Sequence, residues 1–419
     1  MVARFHDARD SFFERRLGMF VHWGLYSVPG WHEQELWRKG TPRREYEKLI
    51  HEFDPVLFDP DKWIDAAEDA GMSYICITTK HHDGFCLFDT KYTDYNIMHT
   101  PYGRDLIKEL ADACHRRGMG LGFYYSIPDW HHPNYPNQGR HHQMMGYRAG
   151  DEPDEEKYFT FVKNQIEELM TNYGPICQLF WDINVNEWYD PSVNDHIREL
   201  QPGIVINDRG PGPGDFDTPE RKIPGGKEFS KPTQACSAFG RESWGYRIDE
   251  DYYSDKFTIG SIDKILAMGG TYLLNVGPKG DGTLPEENVR SLHVIGEWYR
   301  KVREAFDDAW PASYMVDDDH IVISEPVIRD RIWTTRKGNT LYLHLPEGLN
   351  STGLIVSPLH ILPEKATLLN NGQELRCKVE MTPWHWHDPE YLHIVGIPVN
   401  EMQNEVMVIK LEFNEEVFA

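Results

Sequence analysis

Short apolar runs alternate with helical patterns along the first half of the chain. Segments such as 61–71 and 104–118 place their apolar residues at helical spacing and stop at a glycine. Strands that alternate with helices are typical of βα units and of a parallel sheet. The strand-like runs are LGMFVHW (17–23), SYICITT (73–79), GLGFYYS (120–126), CQLFWD (177–182) and GIVIND (203–208). Five such rounds predict a (β/α) barrel or an open doubly wound sheet.

The choice between these two folds depends on phosphate-binding motifs. The sequence has no GxGxxG after the first run and no GxxxxGK[ST], which disfavours the nucleotide-binding sheets. A (β/α) barrel is therefore the prediction. Residues 210–231 are dense in glycine and proline and predict a long loop. After it, TYLLNVGP (271–278) predicts a strand and 286–303 predicts a helix.

The pattern changes beyond about residue 310. Short alternating segments such as HIVISE (320–325) and TLYLHLP (340–346) are separated by Asn-Gly, Gly-Asn and proline, which is typical of a small antiparallel sandwich. A length of 419 residues exceeds one ordinary single-core domain. We therefore predict an α/β fold with a (β/α) barrel-like catalytic domain over residues 1–310 and an antiparallel β-sandwich domain over 311–419.

Charge and composition restrict the class of partner. The formal net charge of −24 argues against a nucleic-acid groove or an anionic membrane surface, because both require a basic patch. The chain contains 13 Trp, 21 Tyr and 19 Phe, more than a core alone usually needs, and sugar rings stack on such faces. We expect a small neutral partner such as a carbohydrate, and neither nucleic acid nor a membrane.

Cysteine usage and the N-terminal segment bear on the compartment. The six cysteines are scattered without CxxC pairs, and several lie in apolar runs, where a small buried thiol is the ordinary interpretation. The N-terminal segment has no apolar stretch of the length that a secretory signal needs, and no run of about 18 apolar residues occurs. These observations lead us to expect a cytoplasmic protein.

Each predicted strand of the barrel ends in polar residues. The carboxyl ends of barrel strands face one opening, where (β/α) barrels hold their active sites. A single histidine after an apolar run is more often a packed or capping residue, but five polar ends on one face indicate a shared site. The strand ends carry His22, Lys80-His81-His82-Asp83, Tyr124-Tyr125-Ser126, Asp182 and Asn207-Asp208-Arg209.

Two carboxyl groups at this face would suit glycoside hydrolysis. One attacks or stabilises the anomeric carbon, and the other protonates the leaving oxygen. Asp182 is the candidate nucleophile because it ends a strand beside Trp181; a helix N-cap is its structural alternative. Glu220, in the segment rich in glycine and proline, is the candidate acid, and Glu228 is the reserve, although a loop glutamate is more often merely solvated.

Histidines are abundant, but their spacing disfavours a metal ion. Adjacent side chains on a strand point in opposite directions, so His81 and His82 would not bind one metal ion together. They suit the recognition of hydroxyl groups better. The histidine pairs at 131–132 and 141–142 lie in a polar loop without a carboxylate or HxxxH spacing. We therefore expect no metal site.

Seven segments resemble, in the same order, motifs of glycoside hydrolase family 29, the α-L-fucosidases. The resemblance covers about residues 4–310 and implies a barrel-like catalytic domain with a C-terminal β-sandwich. It also implies a retaining exo-glycosidase that removes terminal α-L-fucosyl residues from glycoconjugates or oligosaccharides by double displacement, without a metal or an organic cofactor. The segments are RRLGMFVHWGLYSVPGW, TTKHHDGFCLFDTKYTDYN, TPYGRDLIKELADACHRRGMGLGFYYSIPDWHHPNYP, ELQPGIVIND, GDFDTPE, SWGY and GGTYLLNVGPKGDGTLP.

The resemblance implies roles for individual residues. Asp182 lies where the family's nucleophilic aspartate ends its strand. Some members take the acid/base from a TPE-like loop, which here contains Glu220, and others from a Trp-Glu pair that reads Thr233-Gln234 in this chain. Glu220 is therefore the predicted acid/base. The residues implied to surround the sugar are His22, Glu33, His81, His82, Tyr124 or Tyr125, Arg209 and Trp244.

Two departures from the family pattern leave alternatives open. The usual Glu-Trp after YSVPGW reads Glu33-Gln34, with Trp37 close by, and WDIN replaces the commoner FDG at the nucleophile. An aromatic wall is therefore lost or displaced. The alternatives are a non-catalytic fucose- or carbohydrate-binding protein on the same scaffold, and a glycosidase for a related sugar such as galactose. A metal-dependent hydrolase that uses the histidine pairs is a third hypothesis.

Overall fold

A curled parallel sheet forms the first domain. The computed structural model describes residues 2–312, 332–356, 359, 361–381 and 390–414. The sheet has the order β5-β4-β3-β2-β1-β7-β6, and all of its pairs are parallel. Its strands are β1 Leu17–Val21, β2 Tyr74–Lys80, β3 Gly120–Ser126, β4 Gln178–Asp182, β5 Val205–Ile206, β6 Gln234–Ala238 and β7 Thr271–Val276.

Helices alternate with these strands, as the sequence pattern predicts. Aspartates at positions 59, 105 and 154 cap the helices that follow them by accepting backbone N–H groups of the first turn. Among the helices that the structure describes, none combines the length and apolar character needed to cross a membrane. The helices are α1 Ser11–Glu14, α2 Glu35–Arg38, α3 Arg43–Tyr46, α4 Pro60–Asp69, α5 Leu106–Arg117, α6 Glu155–Asn172, α7 Pro191–Leu200, α8 Asp255–Ala267 and α9 Glu286–Val302.

Two elements of the barrel, β6 and α8, have no counterpart in the sequence prediction. The β6 segment QACSA is short and mostly small or polar, so it lacks the β-branched run that marks the other strands. Helix α8 buries Thr258, Ser261 and Asp263 together with its apolar residues. Because α8 packs against both β7 and strands of the second domain, most of its surface is buried and the usual amphipathic pattern is weak.

The Gly/Pro-rich segment closes most of the gap between the two edges of this sheet. Single parallel bridges join Asn207 to Phe216 on one side and Glu220 to Cys236 on the other. The Cys236 amide donates to the carbonyl of Pro219 at 3.0 Å. Part of the predicted loop thus substitutes for an eighth barrel strand, and this placement brings Glu220 to the barrel.

Alternation along the strands separates two apolar regions. Phe20, Tyr124 and Phe180 pack together inside the curled sheet, whereas neighbours such as Met19 and Phe123 belong to the larger core beneath the helices. This is the two-residue period expected of a sheet that is covered on both faces. The interior is therefore filled with side chains, and the site must lie where the strands end.

The second domain is antiparallel. Its eight described strands have the order β11-β14-β13-β12-β15-β10-β9-β8, and together with the barrel-like sheet they confirm the predicted fold class. The predicted boundary between residues 310 and 311 falls within β8, and HIVISE (320–325) lies outside the described residues. The strands are β8 Trp310–Pro311, β9 Trp333–Lys337, β10 Thr340–Leu345, β11 Gly353–Val356, β12 Lys365–Leu368, β13 Gln373–Glu380, β14 Tyr391–Val395 and β15 Met407–Glu412.

A fully buried ionisable pair joins the two domains. Asp263 on α8 contacts His344 on β10, with 2.8 Å between Oδ1 and Nδ1 and neither side chain exposed. Thr335 donates its hydroxyl to the carbonyl of Ala305 and so accepts from His344 Nε2. Burial raises the pKa of Asp263, and the imidazole opposes this shift. Removal of either side chain would leave the other ionisable group buried without its partner.

We expect His344→Leu, which keeps the volume of the side chain, to lower the free energy of unfolding by about 3–5 kcal/mol, because Asp263 is left buried without its partner. The double replacement of Asp263 and His344 by leucine should recover most of the loss. Urea unfolding followed by circular dichroism measures both. As the matched control, His393→Ala breaks the solvent-accessible pair with Glu380 and should leave the midpoint unchanged. An equal loss in the control would contradict this account.

Candidate active site

The strand ends of the barrel surround a pocket of about 270 Å³. Nine of the ten residues predicted for the site line this pocket, and Tyr125 does not. The other seven lining residues are Phe20, Gln34, His141, His142, Phe180, Ile183 and Cys236. The lining residues are Phe20, His22, Glu33, Gln34, His81, His82, Tyr124, His141, His142, Phe180, Asp182, Ile183, Arg209, Glu220, Cys236 and Trp244. The volume suits a single sugar ring better than a drug-sized ligand.

Tyr124 and Tyr125 point to opposite faces of β3. Tyr124 lines the pocket and donates its hydroxyl to Asp182 Oδ2 at 2.6 Å. Tyr125 lies in the outer core, where its hydroxyl donates to Gln165 Oε1 at 2.6 Å. The structure therefore places Tyr125 away from the pocket, because successive side chains on a strand alternate in direction.

Asp182 is buried at the end of β4 with a donor on each oxygen. Tyr124 contacts Oδ2, and Arg209 Nη1 donates to Oδ1 at 2.9 Å. Burial by itself would raise the pKa of Asp182, but Arg209 and the Tyr124 hydroxyl outweigh it and hold the pKa below its ordinary value. The side chain is therefore an anion at neutral pH, as a nucleophile must be.

Arg209 connects Asp182 to Glu220. The same Nη1 that contacts Asp182 also donates to Glu220 Oε2 at 3.1 Å. The other guanidinium nitrogens donate to the hydroxyl and the carbonyl of Thr218, each at 2.9 Å. Glu220 is 41% exposed at its side chain, so it has access to solvent, whereas Glu228 is an exposed residue outside the pocket.

His82 presents an unprotonated nitrogen to the pocket. Its Nδ1 lies 2.6 Å from Ser126 Oγ, and that hydroxyl donates to the carbonyl of Pro128 at 2.8 Å. Ser126 can therefore only accept from His82, which places the ring proton on Nδ1 and leaves Nε2 as an acceptor. Burial lowers the pKa of His82 to about 3. Its Nε2 lies 3.7 Å from Asp182 Oδ2.

His22 is held in the same way. Asn275 donates its amide N–H to the carbonyl of Trp244, so its oxygen accepts from His22 Nδ1 at 2.6 Å. Burial lowers the pKa of His22 to about 4, and its Nε2 remains as an acceptor. His81 packs between these rings, and its buried Nδ1 has no hydrogen-bond partner within the described residues.

Glu33 is tied to the segment that carries Trp244. Its Oε2 accepts from the Ser243 hydroxyl at 2.8 Å and from the backbone N–H groups of Trp244 and Gly245 at 2.9 and 3.3 Å. Burial opposes ionisation of Glu33, yet neighbouring His32 and the Ser243 hydroxyl hold the pKa of Glu33 below its ordinary value. Trp244 in turn stacks on His22, with 5.2 Å between ring centroids.

The sequence prediction missed three polar pocket residues, Gln34, His141 and His142. The sequence pattern marks His141 and His142 only as possible metal ligands, and Gln34 only as the position of a lost aromatic residue. The pair His131 and His132 does not line the pocket, and His131 contacts Glu47. Across the described residues, no group of three or more His, Cys, Asp or Glu side chains could hold a metal ion.

Comparison with known proteins agrees with this geometry. A family model described as alpha-L-fucosidase matches residues 3–304. The chain belongs to the α-L-fucosidase family. The tissue alpha-L-fucosidase of Bos taurus is 28% identical, and the match covers 87% of this chain and 81% of the relative. The resemblance inferred from the seven sequence motifs is thereby confirmed.

Solved structures of α-L-fucosidases superpose on nearly the whole chain. Alpha-L-fucosidase isoenzyme 1 from Paenibacillus thiaminolyticus has a TM-score of 0.84 and 34% identity, and the match covers 97% of this chain and 99% of that one. A trapped covalent intermediate of a GH29 alpha-L-fucosidase from Bacteroides thetaiotaomicron, with 2-fluoro-fucosyl fluoride, has a TM-score of 0.77 and 28% identity, covering 98% of both chains. As a member of this family the chain is a glycoside hydrolase, and the family acts on fucosylated carbohydrates.

We expect Ser126→Ala to lower kcat/KM for 4-nitrophenyl α-L-fucoside about tenfold, because a buried donor left without an acceptor costs about 1–3 kcal/mol. The change leaves the Nδ1–H of His82 unpaired or moves the proton to Nε2. Histidine ¹⁵N chemical shifts report the tautomer directly. Ser192→Ala, at the exposed start of α7, is the control. Unchanged activity together with an unchanged tautomer would refute this role of Ser126.

Proposed function

We propose that this chain is a retaining, exo-acting α-L-fucosidase in which Asp182 is the nucleophile and Glu220 is the acid/base. The observation that carries these assignments is the contact of one Arg209 nitrogen with both carboxylates. Contacts of 2.9 and 3.1 Å to one nitrogen keep the two nearest oxygens within about 6 Å, below the roughly 6.5–9.5 Å separation of inverting enzymes. The trapped covalent intermediate of the Bacteroides relative supports the same stereochemical course.

The first step forms a covalent glycosyl-enzyme. Asp182 attacks the anomeric carbon, and the bond from that carbon to the leaving oxygen breaks while Glu220 protonates that oxygen. Asp182 loses its negative charge as Glu220 acquires one. Arg209 contacts both groups, so its positive charge stays beside the anionic carboxylate at either stage.

The second step reverses these roles with water. Glu220, now a carboxylate, removes a proton from water, which attacks the anomeric carbon and releases Asp182. The partial exposure of Glu220 gives water access to the acid/base, whereas Asp182 is buried. Two displacements at one carbon return the α configuration, and the product is L-fucose.

The lining of the pocket supports a 6-deoxy sugar over galactose. Phe20, Phe180 and Tyr124 form an apolar cluster with Cys236 beneath the pocket. An additional hydroxyl buried against such a surface would lose hydrogen bonds to water without replacement. The hydrogen-bond acceptors of the pocket are nitrogens of its histidines, and the ring hydroxyls of the sugar can donate to them. The same chemistry gives no support to a galactosidase.

A catalytic role also explains more than a binding role. A protein that only bound the sugar would not need Asp182 held as an anion within reach of a second carboxylate.

We further propose a small fucosylated carbohydrate as the partner and a cytoplasmic location. The net charge of −24 supports the absence of nucleic acid and anionic membrane among the partners.

We expect azide to distinguish the two carboxyl groups by the configuration of the product. Asp182→Gly should be inactive on an aryl α-L-fucoside, and azide in the vacated space should give the inverted β-L-fucosyl azide. Glu220→Ala should accumulate glycosyl-enzyme from an activated aryl fucoside, and azide should release the retained α-L-fucosyl azide, since it needs no general base. Proton NMR of the anomeric signal identifies each product.

The matched control is Glu228→Ala, which should behave as wild type because Glu228 lies outside the pocket. Full activity of Asp182→Gly without azide would refute the nucleophile. Azide rescue of Glu228→Ala but not of Glu220→Ala would move the acid/base to the reserve position.

We expect L-fucose affinity to fall as the pH approaches 4. His22 has a pKa of about 4, lowered from its ordinary value, so it is neutral above that pH and loses its acceptor nitrogen below it. Inhibition constants of L-fucose between about pH 3.5 and 8 measure this dependence. The Asp182→Asn variant should still show a decline in direct binding, moved to lower pH because the Asp182 charge that favours protonation of His22 is gone; this separates the decline from titration of the nucleophile. A decline that begins above pH 6 would contradict the assignment.

A further inference from the structure

His142 is a pocket residue that the mechanism above does not use. It lies in the connection between β3 and α6 and lines the pocket. Its imidazole stacks on Trp37, with 5.2 Å between ring centroids and 21° between ring planes, and lies 5.3 Å from the ring of His82. His142, stacked on Trp37, thus lines the pocket near Gln34. Gln34 is the position next to Glu33 where the family pattern has an aromatic residue.

The backbone at His142 is held in a conformation that few residues adopt. Its φ angle is +58°, in the left-handed region that non-glycine residues rarely enter. Two indole N–H groups fix the two peptide groups that follow its Cα atom: Trp130 donates to the carbonyl of His142 at 2.9 Å, and Trp37 donates to that of Gln143 at 3.0 Å. Strained positions that the surroundings hold in this way are concentrated at functional sites.

Neighbouring side chains determine which nitrogen of His142 carries the proton. Arg38 Nε donates to Gln34 Oε1 at 2.9 Å, which fixes the orientation of that amide. The Gln34 NH₂ group then faces His142 Nδ1 at 3.4 Å, so Nδ1 accepts and the neutral ring carries its proton on Nε2. Burial lowers the pKa of His142 to about 4, consistent with a neutral ring.

His142 therefore has the opposite polarity to His82. His82 offers an acceptor nitrogen, whereas the remaining polar group of His142 is a donor N–H. One hydroxyl group can donate one hydrogen bond and accept another. Two imidazole rings whose centroids are 5.3 Å apart can bind the same hydroxyl from two sides.

We propose that His142 is a substrate-binding residue, which donates from Nε2–H to a ring hydroxyl of the bound L-fucosyl group while that hydroxyl donates to His82 Nε2. This inference rests on the proposed function and adds a specificity determinant to it. A sugar without this hydroxyl loses both hydrogen bonds, and a sugar that is O-alkylated or O-acylated there has no proton to give His82. The enzyme then selects fucosyl groups that are unmodified at this position.

The test combines variants of His142 with substrates that lack single hydroxyls. His142→Phe keeps a ring on Trp37 and removes the donor, and His142→Gln keeps an N–H donor. We measure kcat and KM for 4-nitrophenyl α-L-fucoside and for its 2-, 3- and 4-deoxy analogues. His142→Phe should lower kcat/KM about tenfold for the complete substrate, as expected for one lost hydrogen bond. It should have no effect on the deoxy analogue that lacks the contacted hydroxyl, and His142→Gln should restore part of the loss.

An equal loss on the parent fucoside and on all three deoxy analogues, or no loss on the parent, would overturn the proposal. Met145→Ala is the matched control, since this strongly exposed side chain belongs to the same connection but does not line the pocket. If His142→Phe does not fold, His142→Asn makes the same comparison, because asparagine tolerates a positive φ angle and its amide is too short to reach. Failure of the wild type on every α-L-fucoside would refute the proposed function, which is a different result.

Discussion

One guanidinium group holds the proposed catalytic carboxylates together. Arg209 donates from a single nitrogen to Asp182 at the end of β4 and to Glu220 in the segment that closes the barrel. It also donates twice to Thr218 in that segment. Its positive charge therefore lies beside whichever of the two carboxyl groups is ionised at each stage of the proposed reaction. The position of Glu220 beside Asp182, and that of the otherwise irregular segment that carries Glu220, depend on these contacts.

The histidines of the pocket owe their function to the groups behind them. Burial keeps His22 and His82 neutral, so each ring has one donor and one acceptor nitrogen. Ser126 and Asn275 use their own hydrogens on backbone carbonyls, and therefore only their oxygens are available to the rings. The pocket consequently presents acceptor nitrogens to a sugar that is rich in hydroxyl donors. Ser126 and Asn275, which lie behind the histidines, thus determine which histidine nitrogens can accept hydrogen bonds in the pocket.

The alternation of side chains along β3 determines the shape of the site. Tyr124 supports Asp182 from inside the curled sheet, and Tyr125 bonds to Gln165 beneath a helix. The apolar interior around Phe20 and Phe180 lies beneath the same pocket. A polar wall above an apolar floor matches a ring that carries hydroxyls on one part and a methyl group on another. Strands β1, β3 and β4 therefore supply both the packed interior of the sheet and part of the pocket lining.

The sequence by itself determined the parallel βα pattern, the antiparallel second domain, the family and the carboxylate Asp182. These follow from local periodicity and from short motifs, which neighbouring residues alone decide. It did not predict β6, whose residues are mostly small or polar, or α8, whose burial hides the usual helical period. It also left the choice between Tyr124 and Tyr125 open, because the direction of each side chain depends on how the strands pair. Only the tertiary structure brought Glu220 to Arg209 and His142 to His82, since those contacts join segments whose approach is set by the closure of the barrel.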